Sequence, residues 1–315
     1  SHSISNEWAI YGWANAIDAN DMDIDKIIDK VNNQSYFKYL QTIYPVSQIK
    51  KIKEDNLFVK NLESASILYI DDEAEKGWYE ILCTILYDIN NASKFDYLCN
   101  EFKEKSKENI IQQSIEKINT LETDIVILDF RLHSDDFFSK DIEDITGLSL
   151  LKKIKELNPG IQVIIFSATN KVWNLKALQE NGADGFIVKE SPENSNDEKF
   201  TLDVILSFIE SLKTARKRIF IKDLFTKIGE VKINLYHCDY EDETDYQVFI
   251  QELIRQNEII KTTLKKIDLN DQSTIDIVFL NCYNYLEKFK EYYLNKKDYK
   301  FLLGIDEVEM QRYSP

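Results

Sequence analysis

Glycine, proline, cysteine and histidine are all scarce in this chain, at 8, 4, 4 and 3 of 315 residues. With so few glycines, and neither GxGxxG nor GxxxxGKS/T among them, the phosphate-cradling loop of a nucleotide-binding protein is excluded. Cys83, Cys99, Cys238 and Cys282 lack CxxC spacing, which argues against a zinc site or a disulfide frame and for reduced thiols packed in a core. His2, His133 and His237 stand too far apart to share a metal and are read as structural or surface residues. No apolar run approaches the ~18 to 20 residues of a bilayer-spanning helix, and no charged-then-apolar leader opens the sequence. The expectation is a cytoplasmic protein without membrane contact. Positive charge is also in deficit, with Lys+Arg 39 against Asp+Glu 55 and a net charge of −16, so nucleic acid is repelled overall and a DNA-binding output is disfavoured.

What is present is apolar and aromatic mass, 43% and 12% of the chain, enough to bury a full core in two domains or in one domain with extensions. Its most informative stretch is Ile67-Leu-Tyr-Ile-Asp-Asp-Glu73, an apolar run that delivers Asp71 and Asp72 to the tip of a buried strand. The pattern recurs in Asp124-Ile-Val-Ile-Leu-Asp129, Ile161-Gln-Val-Ile-Ile-Phe-Ser167 and Gly185-Phe-Ile-Val-Lys189, with a weaker strand candidate at Lys94–Leu98. Helical stripes alternate with these runs, at Glu73 to Ile89, Lys105 to Leu121, Leu148 to Leu157 and Trp173 to Asn181, so the fold class is α/β. Parallel strands place their C-terminal ends along one edge, where Asp71, Asp72, Asp129, Ser167 and Lys189 converge. Two adjacent acids there, joined by a third, repel one another and invite a divalent cation, and oxygen-only donors favour Mg²⁺ over zinc.

The acid pair, the lone Asp129, the Ser167-Ala168 step and Lys189, in this order, resemble the response-regulator receiver domain of bacterial two-component signalling. The resemblance covers roughly residues 64 to 200. It implies a doubly wound, five-stranded parallel sheet of flavodoxin-like type, flanked by N-terminal helices and a C-terminal α-helical module. It further implies Asp129 as the phosphoacceptor and Mg²⁺ ligand, with Asp72 binding Mg²⁺ directly, Asp71 through water, and the Arg131 backbone carbonyl completing the protein ligands. Lys189 would pair with the phosphoryl oxygens, Ser167 would hydrogen-bond the phosphoryl group, and Phe186 would take the place of the inward-turning switch aromatic. The chain departs from the family at Phe186, which lacks a hydroxyl, at Glu190, where receivers carry a proline after a cis bond, and in the long acidic stretch between Asp129 and Gly147. That stretch reads either as a lid or as a solvated insertion.

Domain boundaries are expected at 1–62 for a helical region and linker, 63–200 for the receiver and 201–315 for a helical module, with the whole read as a fragment of a longer protein. In the first region Trp8, Ile10, Tyr11, Trp13, Ala14 and Ile17 form an apolar stripe, either a small core or a dock against a neighbouring domain. Past residue 200, the sevenfold interval Ile205, Leu212, Ile219 fits a coiled-coil seam, which would make a homodimer, or an amphipathic helix packed on its own chain. The nearby Lys213, Arg216, Lys217, Arg218 and Lys222 read as a solvated face. The functional expectation is a response regulator phosphorylated on Asp129 by a histidine kinase or phosphotransfer protein. It would have no enzyme activity beyond its own phosphotransfer and autodephosphorylation. The alternatives are a regulatory fragment of a larger effector enzyme, or a phosphate sink in a phosphorelay.

Overall fold

The computed structural model describes residues 2–19, 21–43, 65–86, 94–99, 102, 105–139, 141–168, 172–192, 199–236 and 244–295. The lysine-rich linker expected at 48–60, His237, Cys238 and the residues beyond 295 lie outside these. The chain forms two compact units, Ser1–Lys222 and Asp223–Pro315.

In the first unit, helices α1 (His2–Ile17), α2 (Met22–Asn33) and α3 (Ser35–Ile43) precede strand β1 (Ser66–Ile70) and helix α4 (Tyr79–Leu86). There follow β2 (Lys94–Leu98), α5 (Lys107–Thr120), β3 (Ile125–Leu128), α6 (Thr146–Leu157), β4 (Gln162–Ser167), α7 (Val172–Glu180), β5 (Gly185–Val188) and α8 (Phe200–Lys217). All strand pairs are parallel and the order is β2-β1-β3-β4-β5, the doubly wound arrangement expected. Alternate residues of the central strands feed two cores, which is why their sequences are apolar throughout. Ile67, Tyr69, Ile125, Ile127, Ile164 and Phe166 pack on one face with α1, α4 and α8. Leu68, Ile70, Val126, Leu128, Val163 and Ile165 pack on the other with α5 and α6.

Three expectations change. The crossover helix read from Glu73 begins instead as a kinked turn, Ala74–Trp78, because Lys76 and Gly77 leave the helical region, Gly77 at φ 103, and regular helix starts only at Tyr79. The N-terminal helices are not a separate region. Trp13 is fully buried with its ring 5.4 Å from Trp78, 5.5 Å from Phe166 and 5.8 Å from Phe208, so α1 docks on the sheet's own core. At its other edge Trp8 makes a small core with Val31, Phe37 and Leu40, so both readings of the apolar stripe are realised.

The third change concerns the helix after residue 200. Ile205 and Leu212 are buried against the sheet, with Ile219 packed on the same core, so the sevenfold interval is an intramolecular face and not a coiled-coil seam. That helix belongs to the first unit and stops at Arg218, where the chain turns into α9 (Phe220–Tyr236). The turn brings Lys222 down to the sheet, where its Nζ donates to Asp124 Oδ1 (2.6 Å) and to the Glu122 carbonyl, while Asn158 donates to the Lys222 carbonyl. A β-carbon at Gly160 would lie 2.4 Å from the Lys222 backbone, so only glycine permits this approach. In the second unit α10 (Thr244–Leu264) and α11 (Gln272–Asn295) pair around Phe249, Leu253, Phe289 and Tyr292, the Phe249 and Tyr292 rings stacking at 4.0 Å.

Candidate functional site

The strand order reverses between β1 and β3, and in a doubly wound sheet the crevice at that switch point receives the ligand. Asp71 and Asp129 follow these two strands directly, and each extends the ladder. The Asp71 N–H donates to the Leu98 carbonyl (3.2 Å) and the Asp129 N–H to the Ile70 carbonyl (2.9 Å). Carboxylate oxygens of Asp71, Asp72 and Asp129 all lie within 4.8 Å of one another. From the tip of β5, Lys189 reaches the same point and donates to Asp71 Oδ2 at 2.5 Å. Both partners are almost wholly shielded from water.

Asp71 is the most heavily engaged of the three acids. Besides Lys189, it accepts from the Tyr69 hydroxyl (2.6 Å) and the Glu73 N–H (2.7 Å). Asp129 Oδ1 accepts from the Phe130 N–H (2.8 Å). Asp72 differs, since its Oδ1 is buried with no hydrogen-bond donor. Burial first, then the charges of Asp71, Asp129 and Glu73, push the Asp72 carboxyl up to about 8, with Lys189 offsetting part of the rise. Burial alone would lower Lys189, yet the charges of Asp71 and Asp129, the hydrogen bond to Asp71 and the charge of Asp72 together hold it above its usual value. Tyr69 is raised well above the phenol range, by burial and then by Asp71.

Three clustered acids face one ammonium in a low-dielectric crevice, and the buried Asp72 Oδ1 has no hydrogen-bond partner. A hard divalent cation with oxygen ligands fits that set of donors. Asp71 is already engaged on both oxygens, whereas Asp72 keeps an oxygen without a hydrogen bond.

The remaining expected residues line the same edge. Ser167 ends β4, is buried, and pairs in register with Val188, while its carbonyl accepts from the Lys189 N–H (2.9 Å). Residues 169–171, the rest of the loop that would follow Ser167, lie outside the described residues. Phe186 is half-buried on β5 and packs against the core on the α5 and α6 face. Arg131 lies two residues beyond Asp129, with its guanidinium 5.2 Å from the Phe137 ring centroid. Glu190, at the position where the family carries proline, is buried and accepts from the Thr201 hydroxyl (2.9 Å) at the start of α8. No described peptide bond is cis.

Sequence reasoning missed Asp136. The acidic loop after Asp129 reads either as a lid or as a solvated insertion, and neither reading singles out Asp136, which is buried and holds the loop down, accepting from the Leu132 and His133 N–H groups (both 3.1 Å), the Thr146 N–H (3.2 Å) and the Thr146 hydroxyl (2.9 Å). Lys107 Nζ, 2.6 Å away, balances its charge. His133 caps the short 3₁₀ turn Ser134–Phe137, accepting from the Asp135 N–H at Nδ1, which is a structural role. The loop closes where the Gly147 N–H meets the Phe130 carbonyl (3.1 Å), so close that an added β-carbon would lie 2.3 Å from that oxygen. Of the other clustered acids, Asp21, Asp23 and Glu80 also come together, near the surface. The thiols of Cys83 and Cys99 are pushed up to about 11 by burial, in keeping with unreactive packing residues.

The family model described as the response regulator receiver domain matches residues 107–199. The match takes in Asp129, Ser167 and Lys189 but starts after Asp71 and Asp72, which the sheet itself brings to them. Among solved structures, a CheY-like receiver domain protein from Methanospirillum hungatei JF-1 is 21% identical, covering 47% of this chain and 97% of that one with a TM-score of 0.29. The receiver domain of NtrX from Brucella abortus is 23% identical, covering 45% and 98% with a TM-score of 0.29. No curated protein matches the chain.

Proposed function

Taking as premise that this chain carries a response regulator receiver domain flanked by helices, we propose that Asp129 accepts a phosphoryl group from a histidine kinase or a phosphotransfer protein. The observation that carries this reading is the convergence of Asp72, Asp129 and Lys189 at the switch point, with Asp71 as the lysine's resting partner. A carboxylate is a weak nucleophile, so the reaction depends on charge neutralisation and positioning. An Asp129 oxygen attacks phosphorus while the bond to the donor's imidazole nitrogen breaks, and the departing imidazole takes up a proton. Lys189 retains its proton and shares its charge with the incoming phosphoryl oxygens. Ser167, at the end of β4, donates its hydroxyl to the phosphoryl group, and Phe186 repacks on β5. Hydrolysis by water returns the carboxylate.

Mg²⁺, held by Asp72, Asp129 and the Arg131 carbonyl, with Asp71 behind, would neutralise the acids and the phosphoryl oxygens. In this reading the protein is a switch with no catalysis beyond its own phosphorylation and dephosphorylation, and the phosphoryl group shifts the population of conformations that a partner or output meets. The reading is tested with beryllofluoride, a phosphoryl mimic. The parent is expected to bind it only with Mg²⁺ present, and Asp129→Ala is expected not to bind it; binding by Asp129→Ala equal to the parent's contradicts the assignment.

A further inference from the structure

Helix α1 touches both loops that carry the site. At one end Asn6, itself buried, donates from Nδ2 to Glu73 Oε2 and accepts from Trp78 Nε1 at 3.1 Å. Glu73 follows Asp72 directly and donates its own N–H to Asp71, so Asn6 grips the turn that aims the acid pair. Further along, Gly12 lies against Glu190, the residue after Lys189, so tightly that a β-carbon would come 2.9 Å from its Oε2. One residue on, Trp13 packs against Trp78 and Phe166, the two rings over which Lys189 Nζ rests at 5.3 and 5.1 Å. The helix thus meets the loop of the acids, the loop of the lysine and the aromatic floor beneath that lysine. Packed interiors transmit such displacements rather than absorbing them.

We propose that Asn6 is a positioning residue of the acceptor site and that α1 is its regulatory element, so that seating of α1 and occupation of the acidic cluster favour each other. This rests on the reading of Asp129 as phosphoacceptor. By linkage the coupling is reciprocal: whatever draws α1 from the sheet weakens the site by the same factor by which filling the site tightens α1. A partner that binds α1 would then report or set the state of Asp129.

The test compares the parent, Asn6→Ala and Val31→Ala, the last removing volume from the small core at the other edge of α1, away from the sheet core and both loops. Calorimetry measures affinity for Mg²⁺ with beryllofluoride, and hydrogen exchange follows the α1 amides with and without these probes. The expected result is at least about fivefold weaker binding in Asn6→Ala, the lower end of ordinary coupling between sites. Val31→Ala is expected to melt earlier with its affinity unchanged, and the α1 amides of the parent to exchange at least about fivefold more slowly when the site is filled. If Asn6→Ala does not fold, the exchange measurement on the parent decides alone. Parent-like affinity in Asn6→Ala, or α1 exchange indifferent to occupancy in a parent that binds, overturns the coupling and leaves the acceptor reading standing. A parent that binds neither probe overturns both.

Discussion

Lys189 and Asp71 stand 118 residues apart in the chain, yet the lysine's Nζ lies 2.5 Å from the aspartate's Oδ2, with neither exposed to solvent. The pair ties the last strand of the sheet to the first across the mouth of the crevice. Removing one partner strands the other as an uncompensated buried charge. Lys189→Met is therefore expected to lose ~3 to 5 kcal/mol of stability, read by urea denaturation, and to abolish phosphorylation. Adding Asp71→Asn should restore most of the stability and none of the phosphorylation. Equal stability of the single and double variants would show that the pair is not coupled.

A pH dependence follows from Asp72. In the metal-free protein its carboxyl, raised to about 8, keeps a proton that the unfolded chain has already released above its ordinary value near 3.8. Between those two values the folded state holds the extra proton, so this group's contribution to stability falls as pH rises across that window and levels off above about 8. A cation must displace the proton. Apparent Mg²⁺ affinity should therefore climb with pH by up to about tenfold per unit and flatten above about 8. Calorimetry in buffers of different ionisation enthalpy would count the released proton. A flat affinity from pH 5 to pH 8, roughly the window of the shift, would mean that Asp72 is not a ligand.

The acidic loop gives a third expectation. Asp136→Ala removes the acceptor shared by Leu132, His133 and Thr146, so a loss of about 1 to 3 kcal/mol is expected. Faster hydrogen exchange should be confined to residues 131–146, just beyond Asp129. Gly147→Ala should act on the same loop by a different route, because its β-carbon has no room beside the Phe130 carbonyl, and a cost of about 1 to 3 kcal/mol is expected for such overpacking. Protection of the loop unchanged in both variants would contradict the anchoring role given to Asp136 and Gly147.

The parts of this molecule legible in its sequence are those that local pattern encodes. Four apolar runs that end on Asp71, Asp129, Ser167 and Lys189 announce buried parallel strands, and the sheet then brings their ends together. Asp136 was hidden because a buried acid in an acidic loop has the same local composition as a solvated one, and two of its partners, Lys107 and Thr146, lie outside its own turn. Trp13 stands in the apolar stripe of the first helix, but nothing in helical periodicity says which surface that helix meets, and Asn6, polar and outside the stripe, carries no sequence signal. The helix end at Arg218 was equally silent, and the Lys222–Asp124 contact that follows it joins residues far apart in the chain.

The central claim is that Asp129 is the phosphoacceptor, and it is tested most directly by intact mass after incubation with phosphoramidate and Mg²⁺, followed by borohydride trapping of the acyl phosphate. The account predicts one phosphoryl group on the parent, none on Asp129→Ala, and a trapped residue that maps to Asp129. An unmodified parent, or a phosphoryl group carried equally by Asp129→Ala, would contradict it.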